Sequence, residues 1–346
     1  MEREKIRLEW LDVAKGLAIS FVVLIHVVSA IDKDLYVNAP AFFGAFRVFF
    51  NTISSFYMPA FFVITGLCSS FDADARSFVL KQFKQLQLPF LTLGLLFNLV
   101  PLAHFDFSPA IRTIVQFLSG GAWFLTALFF SKLILFFSLK RLSLKNVGLV
   151  FVALFALGCG LTIVGYDETF WLVRKNFWWI RMDLTMPIFL FLGYFVRVAR
   201  QRFNLDLLNW KFGMLSGAAF LTASCIYYWM DVRPPCIIWD IFIPNPFSAI
   251  MVLLLGATGS LLFLSFVKNL VPKSSVLSLF GKCSLVIYLI HGDVYYQLMR
   301  YTDPMLVNQG GIIRGVLMIF AATMFICCFI AGLLNWKYAR LVLGKF

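Results

Sequence analysis

Three ionisable residues, Asp12, Lys15 and His26, lie in one long apolar stretch near the N-terminus, LDVAKGLAISFVVLIHVVSA. Lys15 and His26 are eleven positions apart, which on a helix is three turns plus about 20°. Asp12 falls near the same stripe. Such a helix presents a cation at one mouth and an imidazole roughly 16 Å farther along, on one face. A neutral, buried imidazole is suited to general-base work, and a cationic side chain at the mouth suits an anionic, phosphate-bearing cofactor. A structural reading stands beside the chemical one: Lys15 snorkels to the membrane interface and His26 makes an interhelical hydrogen bond.

A second imidazole sits in GKCSLVIYLIHG. His291 lies seven residues after Ser284 and three after Tyr288, so the three share a helical face and suit a substrate contact, a proton relay or a structural hydrogen bond. His104, beside Phe105 and Asp106, reads as interfacial. In NTISSFYMPAFFVITG, Pro59 removes a backbone donor near Ser55, while Asn51, Ser54 and Ser55 bring polar atoms to membrane depth. Broken polar helices of this kind line cavities. Trp123, Arg181, Asp183, Asp240 and Asn245 are further groups suited to a polar acceptor, an aromatic and hydrogen-bonding mixture that fits a sugar.

These residues need elements to hold them, and composition says what kind. Apolar residues make up 61% of the 346 and charged residues 14%, against about 25% charged in an average soluble domain. A soluble protein of this size could not hide so much apolar surface, so lipid is the expected solvent, and 41 Phe and nine Trp agree with it. On a template of about 20 apolar residues per span, helices are expected over 11–30, 42–70, 87–105, 121–139, 147–165, 183–198, 212–230, 246–266, 280–299 and 312–335. The expectation is an all-α polytopic protein of about ten spans, forming one membrane domain over residues 1–346.

Loop charge sets the orientation. Nineteen Lys and Arg lie on one side, including Arg76, Lys81, Lys84, Lys140, Arg141, Lys145, Arg200, Arg202, Lys268 and Lys273. Nine lie on the other, from Lys33 and Arg47 to Arg300 and Arg314. Both termini are therefore expected in the cytoplasm. Lys and Arg total 30 against 17 Asp and Glu, but this excess recurs in short loops and so does not point to nucleic acid. The seven cysteines, Cys68, Cys159, Cys225, Cys236, Cys283, Cys327 and Cys328, form no metal-ligand or disulfide pattern, and no metal is expected. The basic start MEREKIRLEW leads into a helix expected to be retained rather than cleaved.

Six segments together resemble the acyltransferase family 3 membrane proteins, in particular the branch similar to fucose 4-O-acetylases. They are LEWLDVAKGLAISFVVLIH, SFYMPAFFVITG, AWFLTALFF, MPIFLFLGY, the pair Asn245–Pro246 and GKCSLVIYLIHG, in the family's order along the whole chain. The resemblance implies that His26 is the catalytic residue. It also implies that Lys15, where many relatives carry Arg, contacts the cofactor with Asp12 beside it. The donor it implies is cytoplasmic acetyl-CoA, and the acceptor is a hydroxyl of a cell-envelope polysaccharide or lipid-linked sugar. The enzyme it implies is an O-acetyltransferase of the bacterial cytoplasmic (inner) membrane. Asn51, Trp123, Arg181 and His291 are the expected acceptor contacts. A proton-coupled secondary transporter using His26, Lys15 and His291 is the alternative; the two differ in whether acyl groups appear on an acceptor.

Overall fold

In hydrocarbon each backbone N–H and C=O must find its partner inside its own segment, so long apolar stretches become helices. The computed structural model describes residues 9–30, 40–99, 123–164, 178–229, 246–302 and 309–335, and every regular element among them is helical. In chain order these are α1 (Glu9–Ala30), α2 (Pro40–Ser54), α3 (Tyr57–Cys68), α4 (Ala75–Gln82), a π turn (Phe83–Gln87), α5 (Leu88–Leu99) and α6 (Trp123–Arg141). There follow α7 (Leu144–Val164), α8 (Trp178–Thr185), α9 (Pro187–Phe203), α10 (Trp210–Trp229), α11 (Pro246–Leu270), α12 (Ser275–Thr302) and α13 (Gln309–Leu334).

Eight helical stretches among the described residues are long and apolar enough to cross a membrane. The other two expected spans are present as α5, described as far as Leu99, and α10, whose Gly213, Ser216, Gly217, Ser224 and Tyr227 dilute its apolar content. The chain is an all-α polytopic membrane protein. Its outside is correspondingly apolar: Leu149, Val152 and Leu157 on α7, Leu215 and Leu221 on α10, and Phe325 and Phe329 on α13 are exposed. In water that surface would aggregate; in a bilayer it is the solvated face. His104, Asp240, Asn245, Arg112 and both termini lie outside the described residues.

Lipid tails are as apolar as the side chains, so close packing rather than water exclusion holds membrane helices together. Two crossings achieve it with paired glycines. α1 runs along α12, and also meets α3, α11 and α13. A Cβ on Gly16 would lie 1.8 Å from the Leu277 carbonyl oxygen, and one on Gly281 would lie 1.8 Å from the Asp12 carbonyl oxygen. Between α3 and α9, a Cβ on Gly66 would lie 2.1 Å from Leu190 O and one on Gly193 would lie 2.0 Å from Val63 O. At both crossings backbone lies directly on backbone.

The stretch expected as one helix over 42–70 is two. Pro59 has no N–H for the Ser55 carbonyl and its ring crowds that carbonyl, so Ser55 and Phe56 turn. The Phe56 N–H donates to Ile53 O at 3.1 Å and Ser55 Oγ to Thr52 O at 2.7 Å. Ser260 Oγ, from α11, donates to the Phe56 carbonyl at 3.4 Å. The span expected over 183–198 divides in the same manner before Pro187, with Met186 between α8 and α9. The helix expected over 87–105 starts earlier, at Ala75, where the Asp74 carboxylate caps it by accepting from the Ser77 N–H at 3.1 Å. It then passes through the π turn, a form concentrated at functional positions.

On the face that the charges assign to the cytoplasm, Lys268 at the end of α11 donates to Asp206 in the turn after α9. Burial alone would raise the Asp206 pKa, but the Lys268 ammonium and the Leu208 N–H outweigh it and hold the carboxyl below its usual range. A carboxyl so depressed contributes stability above its unfolded pKa of about 3.9, and that contribution is lost as pH falls through the folded value. Lys268→Met should therefore cost up to about 1 kcal/mol at pH 7. The difference in melting temperature from wild type, measured in detergent, should shrink towards zero below the folded pKa.

Candidate active site

α1 turns its polar stripe towards α12. Asp12 is buried, at 4% exposure, with its Oδ1 4.0 Å from the Lys15 Nζ. His26 lies on the same helix, and its Nδ1 donates to the Val22 carbonyl at 2.8 Å. On α12, the buried His291 likewise donates from Nδ1, to the carbonyls of Ile287 and Tyr288, both at 2.9 Å. A carbonyl only accepts, so in both rings the proton is on Nδ1 and the basic lone pair is on Nε2. The two imidazoles meet edge to face, with centroids 4.9 Å apart and planes at 67°. Residues remote in sequence thus form one pair because the α1–α12 glycine crossing draws their helices together.

A cavity of about 280 Å³ opens beside that crossing. Asp12, Lys15 and Lys282 supply its charged walls. The apolar walls include Ile19 of α1, Met58 and Phe61 of α3, and Leu125 and Leu128 of α6. Phe124 and Tyr288 also line it, their rings 5.1 Å apart, with Tyr288 hydrogen-bonded to the Phe124 backbone. His26 and His291 are not walls of this cavity. They form the next layer, the His291 ring centroid lying 6.3 Å from that of Tyr288. The space therefore has a cationic mouth and an apolar throat, and a pair of imidazoles lies next to it.

The sequence-expected residues divide accordingly. Lys15 and Asp12 are at the mouth, Ser284 and Tyr288 are walls, and His26 and His291 are paired. Trp123 opens α6 with its ring 6.1 Å from Phe124. Asn51 is half-buried on α2. Arg181 and Asp183 are buried on α8, which packs against α6 and α7. None of these last three is a wall of the cavity. The expected reading overlooked Lys132, in the interior of α6, whose Nζ donates to Gln82 Oε1 at 2.7 Å. Its signal was present all along, as a lone charge between two apolar runs of the span. No cluster of potential metal ligands occurs among the described residues.

The site thus joins a cationic mouth and an apolar throat to an adjacent imidazole pair, inside a bundle of spans. The family model described as "Acyltransferase domain" matches residues 8–333, nearly the whole chain, and the chain belongs to that family. It is a multi-pass membrane acyltransferase. Searches of curated proteins and of solved structures return no match.

Proposed function

We propose that this acyltransferase moves an acetyl group from cytoplasmic acetyl-CoA onto a hydroxyl of a cell-envelope carbohydrate, with His26 as general base, in the bacterial cytoplasmic membrane. The observation that carries the reading is the His26–His291 pair beside the throat of the Lys15 cavity. The polarity profile of that cavity suits the donor: phosphates at the lysines, the pantetheine arm along the apolar walls, and the thioester towards the imidazoles. Asp12 keeps Lys15 oriented across the mouth.

The chemistry then needs one proton moved twice. His26 Nε2 takes the acceptor's hydroxyl proton as that oxygen bonds to the thioester carbonyl carbon, and the imidazolium returns the proton to the thiolate when the C–S bond breaks. The products are an ester and free coenzyme thiol. In this reading His291, in edge-to-face contact with His26, buttresses that ring and meets the acceptor. Attack by His26 itself, giving an acyl-imidazole that the hydroxyl then resolves, balances equally well.

The test uses inside-out membrane vesicles carrying the protein, supplied with acetyl-CoA labelled in the acetyl group. Label should appear as base-labile ester on envelope carbohydrate, and only in vesicles with the protein. Label that stays entirely in the thioester, with native acceptor present, would sink the acetyl-CoA assignment. Label on a lipid without sugar would move the acceptor to another class.

A further inference from the structure

Lys132 takes no part in the chemistry above, yet its position is specific. It lies nine residues before the end of α6 at Arg141, roughly 13 Å inside the helix. Leu128 and Leu125, four and seven residues earlier, share its helical face, and both are cavity walls. Its hydrogen-bond partner Gln82 precedes the wall residue Leu86 by four positions. Lys132 is also within electrostatic range of Lys81, of Cys68, which follows the wall residue Thr65 by three, and of Lys15. Lys132 is not itself a wall of the cavity; these relations place it next to the α6 walls, on the helix that faces the cavity opposite Lys15 of α1.

The charge at that mouth is unbalanced. Lys15 has the Asp12 carboxylate at 4.0 Å. Lys132 forms no ion pair with any described residue, and its hydrogen bond goes to a neutral amide oxygen. Lys282 is a further cation and, like Lys15, a wall of the cavity. Neighbouring cations at membrane depth, with one carboxylate between them, are costly until an anion completes the set.

We propose that Lys132, positioned by Gln82, is a phosphate-binding residue of the donor site, taking the diphosphate of the acyl donor together with Lys15 and Lys282. The inference rests on the acyl-CoA reading above and extends it to a residue on another helix. With cations on α1, α6 and α12, the mouth grips the diphosphate from three sides and leaves the throat to the uncharged arm. Gln82 fixes the direction of the Lys132 ammonium, and the π turn beside it sets where Gln82 stands.

The experiment uses full-length protein in phosphatidylcholine nanodiscs, which contain no anionic lipid. CoA binding is measured by calorimetry, and turnover is measured with acetyl-CoA and with acetyl-pantetheine, which lacks the phosphates. Lys132→Met should raise the CoA Kd and the acetyl-CoA KM by about tenfold or more. It should leave kcat and the acetyl-pantetheine rate unchanged, and Lys132→Arg should recover most of the affinity. The acetyl-pantetheine rate also certifies that the variant is folded. Wild-type CoA affinity in Lys132→Met overturns the proposal, as does an equal loss with both donors. So does an effect that appears only when phosphatidylglycerol is added, since that assigns the cation to a lipid headgroup. A wild-type protein that binds no CoA overturns the donor reading itself, and this inference with it.

Discussion

Membranes carrying His26→Ala should transfer acyl groups about 10²- to 10⁴-fold more slowly than wild type, the range of a lost general base, with protein level and melting temperature held. The expectation that stability survives has a physical basis. The side-chain bond from His26 Nδ1 goes to the Val22 carbonyl one turn back, which in a helix also accepts the His26 backbone N–H. Removing the imidazole therefore leaves the Val22 carbonyl with its backbone partner, and Ala is the best helix former. The loss should fall on turnover rather than on donor affinity, because Lys15 and Asp12 stand about three turns away at the mouth. His26→Gln should be nearly as slow, since an amide of similar size cannot take the proton. Turnover in His26→Ala within a few-fold of wild type would remove His26 from the chemistry and leave it as a packing partner of His291.

The largest structural effect is expected from one methyl group. Gly16→Ala or Gly281→Ala should prevent α1 from seating on α12, with sharply reduced protein yield or a much lower melting temperature. A Cβ at either position would sit 1.8 Å from a carbonyl oxygen of the facing helix. Flexible side chains can swing away from such a clash, but here the obstacle is backbone. The cost should exceed the roughly 1–3 kcal/mol of ordinary core overpacking. Asp12 and Lys15 lie in the turn just before Gly16, so helices forced apart would also widen the mouth and spread the imidazole pair. The control is Gly332→Ala on α13, where no atom lies within 4 Å of the added carbon; there the change should be neutral or stabilising by up to about 1 kcal/mol. Comparable melting curves for Gly16→Ala and Gly332→Ala would refute the backbone-contact argument.

The parts of this molecule that were legible in the sequence are those with a local cause. Helices follow from runs of apolar residues, and the Asp12–Lys15–His26 stripe follows from helical periodicity. The break near Ser55 was visible in Pro59, although the corresponding break before Pro187 was read as a continuous helix. What could not be read depends on which helices become neighbours. The Gly16 and Gly281 residues look like ordinary membrane-helix glycines until each is seen against a carbonyl of the other helix. The pairing of His26 with His291 is of the same kind, since two separately plausible residues acquire a joint meaning only once α1 lies on α12. Lys132 is different. It was in view, but a count that assigned charges to loops passed over a charge inside a span.

The cavity's Phe124–Tyr288 contact bears on the cell's energy supply. A bilayer that stores an ion gradient tolerates no continuous watery hole, and an enzyme drawing its donor from one side and serving an acceptor at the other is built around something close to one. Two aromatic rings at 5.1 Å, tied by the Tyr288 hydrogen bond to the Phe124 backbone, line the cavity on the side of the imidazole pair, the Tyr288 ring lying 6.3 Å from that of His291. Under the proposed mechanism the thioester end of the donor reaches this point, and only the two-carbon group goes on to the acceptor. The protein would thus pass an acyl group across an insulating barrier while the barrier continues to hold its voltage.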